Sequence, residues 1–329
     1  MKSFFNILMS VWCLIGGIIG AGFITGREIG VFFAFDPSVT GIYSSIIVFA
    51  LFIFFYQKIL NSVSFGKVIL NIISVIDILM LACMYAALDI VMTNLLCLTK
   101  KIKLFSIVTA IIAFFTVKRG IGMVKIFTSV LVPVEIVFVL FVCCYDGLNL
   151  KIAYSPGSLK GVAYPLIYSA MNCLLLAPTG AQLYSRLTAT EKVVASSLTA
   201  AVIGVCVFFV AASISAFYSA DAPLFLLAER KSATLLSVLN VVSVFAVLTS
   251  IITTSCSVYT LAKDNDVIKF FITLVALAVS ETGFSFITDK LYPIVGVVSI
   301  ILIICLSIVQ GIFLKSPLKR TSIRLKRKV

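Results

Sequence analysis

The first apolar span of the chain offers backbone groups that can grip a small charged molecule. Four glycines, Gly16, Gly17, Gly20 and Gly22, fall within seven residues of this span. Glycine costs roughly 1 kcal/mol relative to alanine inside a helix, so the helix is expected to break here. Unwound backbone at bilayer depth is tolerated only where it is buried in protein or lines a cavity. The break therefore predicts a substrate site at Gly20, Ala21 and Gly22, with close helix packing as the alternative.

A second apolar span, residues 161–185, is predicted to carry a matching break. It contains Tyr168, Ser169 and Asn172, followed by Pro178, which removes a backbone donor and clashes with the preceding turn. Broken helices present two opposite half-dipoles, because their N–H groups attract a carboxylate and their free carbonyls attract an ammonium group. A zwitterion would fit both poles, with its amino group near the carbonyls of Tyr168 and Ser169.

Hydroxyl and acidic side chains within the apolar spans are the candidate coupling groups. The span 233–261 carries a dense run of serines and threonines whose oxygens suit Na⁺, and bonds to their own helix are the alternative. A buried acid costs about 2.5–3.5 kcal/mol on insertion scales, so each acid needs a partner, a proton or a wet cavity. The acids inside spans are Asp77, Asp89, Glu135 and Glu281. Asp89 and Glu135 are the preferred candidates for proton coupling, and an interhelical hydrogen bond is the alternative.

Two further charges, Arg27 and Glu28, follow directly after the first break. They are predicted to form a gate with a charge from another span, for instance Asp289 at the entrance to the last one. An Arg27 side chain that snorkels and bonds locally to Glu28 is the simpler alternative.

The composition indicates a polytopic membrane protein and not an enzyme. Hydrophobic residues make up 61% of the 329 residues and charged residues only 12%, and the sequence contains no histidine. Histidine is the commonest general base and metal ligand, and the nine cysteines lack CxxC spacing. No catalytic motif is present either. We therefore expect no cofactor and no metal beyond a possible coupling ion, Na⁺ or H⁺.

Apolar runs of about 20 residues, enough to cross about 30 Å of hydrocarbon, fill nearly the whole chain and predict an all-α fold. The ten predicted spans are residues 5–35, 39–60, 68–98, 104–118, 121–145, 161–185, 192–218, 233–261, 267–282 and 291–314. They form one transmembrane domain, residues 1–315, that divides into repeats of about 1–150 and 155–315, and a basic tail follows at 316–329. Five spans per half force the halves into opposite orientations, which is the inverted-repeat pattern of many transporters.

The formal charge of +13 follows the membrane topology and does not indicate nucleic acid as a partner. With a cytoplasmic N-terminus and ten spans, the inner segments hold 17 basic residues and the outer segments 8. This excess follows the positive-inside rule, with both termini in the cytoplasm and the tail beside anionic lipid. The expected partners are the lipid bilayer of the cytoplasmic membrane and a small substrate, which is an amino acid in the zwitterion interpretation.

Four segments of the sequence carry a resemblance to a known family. They are IIGAGFITGREIGVFF at 18–33, KRGIGMVKIFTSVLVPV at 118–134, the stretch 168–180 with its Asn172 and Pro178, and VSETGFSFITDKLYPIVG at 279–296. In order and spacing they resemble the YkvI-type membrane proteins, which are relatives of the amino acid–polyamine–organocation transporters with the LeuT fold. The resemblance extends over nearly the whole chain. It implies a five-plus-five inverted repeat in which helices 1 and 6 are interrupted.

The resemblance also implies roles for individual residues around a site between spans one, three, six and eight. The segment Gly20–Gly22 is similar to the substrate-binding break of the fold, and Tyr168, Ser169 and Asn172 are similar to its partner. Tyr85 would be an aromatic lid from span three.

Where such proteins bind sodium, the resemblance implies a further set of ligands. They are the carbonyls of Gly16 and Ile19 and the hydroxyls of Thr253 and Thr254. Family members often carry an acidic residue near this Thr pair, where the present chain has Ser250. This departure leaves Na⁺ and H⁺ both open as the coupling ion.

These features together predict a secondary active transporter of a small amino acid or related organic cation, coupled to Na⁺ or H⁺ and working by alternating access. The alternative is a permease-like receptor subunit that binds a small ligand and signals through partner proteins without transport. An intramembrane enzyme is disfavoured, because histidine is absent and the acids of span three lie on different helix faces.

Overall fold

A computed structural model describes residues 2–33, 44–51, 53, 65–96, 103–145, 159–262 and 265–315. Within these ranges every regular element is helical, as predicted. The helices are α1 (Lys2–Ile18), α2 (Ala21–Ile24), α3 (Arg27–Phe33), α4 (44–51), α5 (Phe65–Leu95), α6 (Leu104–Lys118), α7 (Ile121–Cys144), α8 (Leu159–Leu175), α9 (Ala177–Tyr184), α10 (Ala189–Ser213), α11 (Pro223–Lys231), α12 (Ala233–Val258), α13 (Asp266–Val279), α14 (Phe284–Phe286) and α15 (Tyr292–Lys315). Short 3₁₀ turns at Ser215–Phe217 and Ser280–Thr282 and a π turn at Ile287–Leu291 complete the described part.

Five of the described helical segments are long and apolar enough to cross a membrane, which indicates a membrane protein. They are Leu70–Thr93, Ile121–Cys144, Ala189–Ser213, Ala233–Val258 and Phe284–Cys305. The pair formed by α8 and α9 makes a sixth if it is counted as one bent span.

The prediction of ten spans and of an inverted repeat stays a prediction. The helices α6 and α13 match two predicted spans but have only 15 and 14 residues, so each rises about 22 Å, short of the hydrocarbon thickness. Only residues 44–51 and 53 of the predicted span 39–60 are described, and they are helical. The connection at 146–158 and the tail at 316–329 lie outside the described residues.

The predicted break of the first span is confirmed. The helix α1 ends at Ile18, and Ile19 and Gly20 leave the helix before α2 begins. A second interruption follows at Gly26, whose φ of +76° favours glycine. A Cβ at Gly26 would lie 3.1 Å from the backbone nitrogen of Leu224 at the start of α11. The span is therefore three helices separated by two short non-helical segments.

The second predicted break, within residues 161–185, is confirmed. The helix is continuous from Leu159 through Leu175, breaks at Leu176 and continues in α9 at an angle of 57°. The break lies two residues before Pro178, so Tyr168 and Ser169 remain in the regular helix that precedes it. Pro178 itself lies in the first turn of α9, where a missing backbone donor costs nothing.

The helix α12 lies at the centre of the described bundle and packs against α5, α7, α6 and α1. The helix α1 also packs against α7 and α10, and α15 packs against α8. The helix α11, between α10 and α12 in the chain, packs on α12. Its Leu224 N–H donates a hydrogen bond of 3.0 Å to the Thr25 carbonyl, so it lies against the second interruption of the first span. The breaks are thus enclosed by neighbouring helices.

Candidate functional site

A narrow polar cavity lies beside both breaks. It is bounded by the end of α1 and the start of α3, by α5, by the α8–α9 bend, by α12 and by the start of α15. Its polar lining residues are Glu28, Asp77, Asn172, Thr179, Thr253 and Thr254. The cavity holds only about one or two water molecules. A substrate can therefore enter only when the surrounding helices separate.

Glu28 supplies one carboxyl group to this cavity. Its side chain is buried and contacts the side chain of Asn172. A Cβ at Gly22 would lie 2.6 Å from Glu28 Oε2, so the absence of a side chain at Gly22 makes room for the acid. Glu28 also lies near Cys83 and Tyr292. An anionic group placed at Gly22 would meet this carboxylate, which disfavours the predicted contact of Gly20, Ala21 and Gly22 with a substrate carboxylate.

Asp77 supplies the second carboxyl group, from the middle of α5. Its side chain is fully buried, and its Oδ2 accepts a hydrogen bond from the Ser257 hydroxyl. Its Oδ1 has no hydrogen-bond partner among the residues that the structure describes. A buried oxygen without a partner is costly, so this atom needs a proton, a water or a ligand. The sequence identified Asp77 as a buried acid but did not select it as a site residue.

The three polar residues of α8 that were predicted to contact the substrate lie in different environments. Asn172 lines the cavity, and its Nδ2 donates to the Tyr168 carbonyl at 3.0 Å. Tyr168 packs its ring against Phe32 and Phe33, each at a centroid distance of 5.4 Å. Ser169 lines a smaller cavity, bordered by α1, α4, α8 and α10, that Tyr168 and Asn172 also border. Only Asn172 of the three faces the main cavity, and the Tyr168 and Ser169 carbonyls lie within a continuous helix.

The predicted lid residue Tyr85 is buried but does not belong to the lining of this cavity. Its carbonyl accepts a hydrogen bond of 3.1 Å from the Ser106 hydroxyl of α6. The side chain on α5 that reaches the break is Met84, whose Sδ and Cε would lie 2.9 Å from a Cβ at Gly20. The lid role of Tyr85 is therefore not supported by its position.

The carbonyl oxygens of Gly16 and Ile19, which the resemblance implies as sodium ligands, do lie close together, but the Ser250 hydroxyl bonds to both. The Ser250 Oγ lies 2.8 Å from the Gly16 carbonyl oxygen and 3.1 Å from that of Ile19. Thr253 donates instead to the Thr249 carbonyl of its own helix at 2.9 Å, and it lines the cavity together with Thr254. The Thr pair and the carbonyl pair therefore belong to two separate groups. In the sequence, Ser250 is distinguished only as a departure from the pattern of the proteins that the chain resembles.

Glu135 is buried on α7 and lies outside the cavity lining. The Thr249 hydroxyl on α12 lies 3.3 Å from Glu135 Oε1 and 2.9 Å from the Ala246 carbonyl. The acid thus makes the interhelical hydrogen bond that was the alternative to proton coupling. Its partner Thr249 directly precedes Ser250 on α12, and Ser250 bonds to the carbonyls at the first break.

Asp89, the other preferred coupling acid, forms an ion pair away from the cavity. Its Oδ2 lies 2.8 Å from Lys103 Nζ, and its Oδ1 accepts from the Ser106 hydroxyl at 2.5 Å. Lys103 also pairs with Glu281 at 3.2 Å. This network joins the end of α5 to the start of α6 and to the turn after α13. Its position supports a structural role.

The predicted pairing of Arg27 with Asp289 is confirmed. The guanidinium donates to both carboxylate oxygens, from Nε at 2.9 Å and from Nη2 at 2.5 Å. Its Nη1 donates to the Ala220 carbonyl at 2.8 Å and lies 3.4 Å from Asp221 Oδ1. Arg27 thus points away from Glu28, because consecutive helical residues differ in direction by about 100°. The ion pair joins α3 to the π turn that leads into α15.

No protein-family model matches this sequence, and no curated protein is similar to it. The resemblance to the YkvI-type proteins therefore stays a prediction.

Proposed function

We propose that the chain is a secondary active transporter of a small amino acid or related organic cation, coupled to an ion and working by alternating access around the cavity. The observation that carries this proposal is a narrow cavity at two helix breaks whose lining contains two carboxyl groups, Glu28 and Asp77. Charged residues within membrane helices are expensive and mark substrate or ion pathways. Discontinuous helices are the usual place for such sites in transporters.

The ion pair of Arg27 and Asp289 supports the gating part of this proposal. Both partners of the pair are close in sequence to residues that line the cavity. Glu28 directly follows Arg27, and Tyr292 lies three positions after Asp289. The intact pair joins α3 to the π turn that leads into α15. Breaking it frees α3 from the start of α15, which is the movement that access from this side requires.

The geometry favours H⁺ over Na⁺ as the coupling ion. The carbonyls of Gly16 and Ile19, which the resemblance implies as sodium ligands, already accept hydrogen bonds from Ser250. A buried acid, Glu135, lies 3.3 Å from the hydroxyl of Thr249, the residue that directly precedes Ser250. Proton uptake and release at such a group would alter the contact between α7 and α12, against which α1 also packs.

The test is uptake into proteoliposomes containing the purified protein, measured for a panel of amino acids and amines under a proton gradient and then under a sodium gradient. We expect flux of at least one panel member that depends on the proton gradient and is lost in Glu28→Gln. The matched control is Lys118→Met, which removes an exposed charge that pairs with Asp266 far from the cavity. Ligand binding by the intact protein without any flux would overturn the transport proposal and support the receptor alternative.

A further inference from the structure

We infer that the hydrocarbon of the bilayer is thinned to about 22 Å along the outer face of α6 and α13, and that this face selects lipids with short acyl chains. The contact concerned is that of the protein with its membrane, and it holds whether or not the protein transports a substrate. Its basis is the length of two neighbouring helices and the ion pairs that join them at both ends.

The helices α6 and α13 pack against each other and are joined by an ion pair at each end. At one end Lys103 Nζ lies 3.2 Å from Glu281 Oε1, and at the other end Lys118 Nζ lies 2.6 Å from Asp266 Oδ2. The start of each helix thus meets the end of the other, so the two helices are antiparallel. From 103 to 118 and from 266 to 281 the charges are 15 residues apart, which corresponds to about 22 Å. Any tilt of the helices makes this height smaller.

Both levels of charge must reach water or lipid headgroups. The four side chains of these ion pairs are between 35% and 70% exposed, and an exposed charge within hydrocarbon is expensive. A lysine can extend toward water, but the short side chain of Asp266 holds Lys118 at its own level. The sequence beyond the helix ends, at 100–101 and 263–264, is charged as well. The apolar height of this face is therefore about 22 Å, against about 30 Å for a typical bilayer.

The neighbouring helices show at which end the height is missing. The buried Asp89 of α5 pairs with Lys103 at 2.8 Å, which places the start of α6 level with Asp89. The helix α5 continues to Leu95, six residues or about 9 Å further. At the other end only Arg119 and Gly120 separate α6 from the long helix α7, so these two helices share one level there. The depression is therefore at the Lys103 end.

The residue types of the outer face fit lipid tails and not another protein. The exposed residues of α6 between its ion pairs are all large and apolar, and so are those of α13 apart from Ala278. The buried residues of the two helices are Ser106, Thr109, Ala110, Ala113, Thr273 and Ala276. Helix interfaces in membranes depend on such small residues, because they allow close approach. In this chain they face the interior of the bundle, so the outer face is left to lipid.

Lipids adapt to a short apolar face by thinning, at a cost that grows with the difference in height. Lipids with short acyl chains fill the depression with less deformation, so they are enriched beside α6 and α13. The depression also brings headgroups and water to Lys103, which holds the buried charge of Asp89. The short helices thereby allow a charged contact to lie about 9 Å inside the end of α5.

The experiment compares two tryptophan reporters at matched heights in the full-length protein in phosphatidylcholine vesicles. Trp12, the single tryptophan of the sequence, is first replaced by phenylalanine. The reporters are Leu104→Trp on α6 and Val134→Trp on α7, at residues that are 58% and 59% exposed. Each lies 15 residues from Arg119, on either side of the turn that joins the two helices. In a bilayer of uniform thickness they would therefore have the same depth.

Depth is measured by comparing the quenching of each reporter by lipids brominated near the headgroup and near the chain end. We expect Leu104→Trp to lie about 8 Å closer to the headgroups than Val134→Trp, which is the difference between about 30 Å and about 22 Å. Equal depths would overturn the inference. Should Leu104→Trp not fold, Ala278→Trp on α13 reports on the same end and should also be shallower than Val134→Trp.

A third reporter, Ile111→Trp, tests what covers the face and which lipid it prefers. Ile111 lies in the middle of α6 and is 51% exposed. Brominated lipids with chains of about 14 carbons compete with unbrominated lipids of about 22 carbons, and the labels are then exchanged. We expect about a two- to fivefold preference for the short chains at Ile111→Trp and none at Val134→Trp. Equal affinities would overturn the inference, and so would a lack of quenching by any lipid, which would show that protein covers this face.

Discussion

Loss of the Arg27–Asp289 ion pair should open the cavity from the side of α3. The pair has two parallel hydrogen bonds, and its side chains are only 15% and 30% exposed. A hydrogen bond to a charged group contributes about 1.5–3 kcal/mol, while exposed ion pairs contribute at most about 1 kcal/mol. We therefore expect a coupling energy of about 1–2 kcal/mol for this half-buried pair. Since 1.4 kcal/mol is tenfold, the open fraction should rise about five- to thirtyfold.

A native cysteine reports this opening. Cys83 is fully buried, and its Sγ accepts a hydrogen bond from Tyr292 Oη at 3.4 Å, three residues after Asp289. Alkylation by a membrane-impermeant thiol reagent, followed by mass spectrometry of the peptides, measures how often this site opens. The rate at Cys83 should rise about five- to thirtyfold in Asp289→Asn and in Arg27→Met. The double variant should react no faster than the more reactive single one.

Two controls make the result specific. Cys206 on α10 is similarly buried, but it is Cys83 that accepts a hydrogen bond from Tyr292 close to the ion pair, so the alkylation rate at Cys206 should stay constant. Lys118→Met breaks an ion pair of similar length, 2.6 Å, whose side chains are 51% and 40% exposed, and it should not change the rate at Cys83. Additive effects of the two gate substitutions, or equal acceleration at both cysteines, would refute the gate and indicate general loosening of the fold.

Three further substitutions test the packing around the breaks through the free energy of unfolding. Ser250→Ala leaves two buried carbonyls without their donor and should cost about 1–3 kcal/mol, whereas the exposed Ser237→Ala should cost little, as measured by denaturant titration. Gly17→Ala places a Cβ 2.5 Å from Leu176 Cδ2 and should cost about 1–3 kcal/mol, while Gly122→Ala meets nothing within 4 Å and should be neutral or stabilising. Lys103→Met leaves a buried carboxylate without its cation and should lower the unfolding midpoint.

The first break was predictable because its cause is local. Four glycines in one apolar span weaken the helix wherever the chain folds, and the structure departs from the helix at Ile19 and Gly20. The second break was likewise predictable within residues 161–185, because Pro178 removes a backbone donor, but the Tyr168 and Ser169 carbonyls lie before it in regular helix. Asn172 bonds to the carbonyl of Tyr168, one turn back in the same helix, so a polar residue at this depth is compatible with regular backbone.

The partners of the charged residues were only partly predictable. Asp289 was identified as the partner of Arg27 because both charges lie at the same end of their spans, which depends on topology alone. Which of Arg27 and Glu28 faces the cavity depends on the rotation of α3, and a hydrophobic sequence pattern on all sides does not define that rotation. The contact of Ser250 with two carbonyls likewise depends on how α12 is turned relative to α1, which no single-sequence signal specifies.

Around the cavity, polar contacts join α5 firmly to α12, whereas the break at the end of α1 is held to α12 more weakly. The helices α5 and α12 are joined through Asp77 and Ser257, and Ser74 adds a bond of 3.2 Å to the Ser257 carbonyl. At the end of α1, the carbonyls of Gly16 and Ile19 accept hydrogen bonds from the Ser250 hydroxyl of α12. A movement of α1 past α12 must break these two bonds, while a movement that keeps α5 with α12 breaks none of theirs. In the proposed transport cycle we therefore expect α1 to move against the α5–α12 pair, which would change the distance between Glu28 and Asp77, whereas the second broken span is held to α12 by the bonds of Thr179 to the Thr253 carbonyl and of Gln182 to the Cys256 carbonyl.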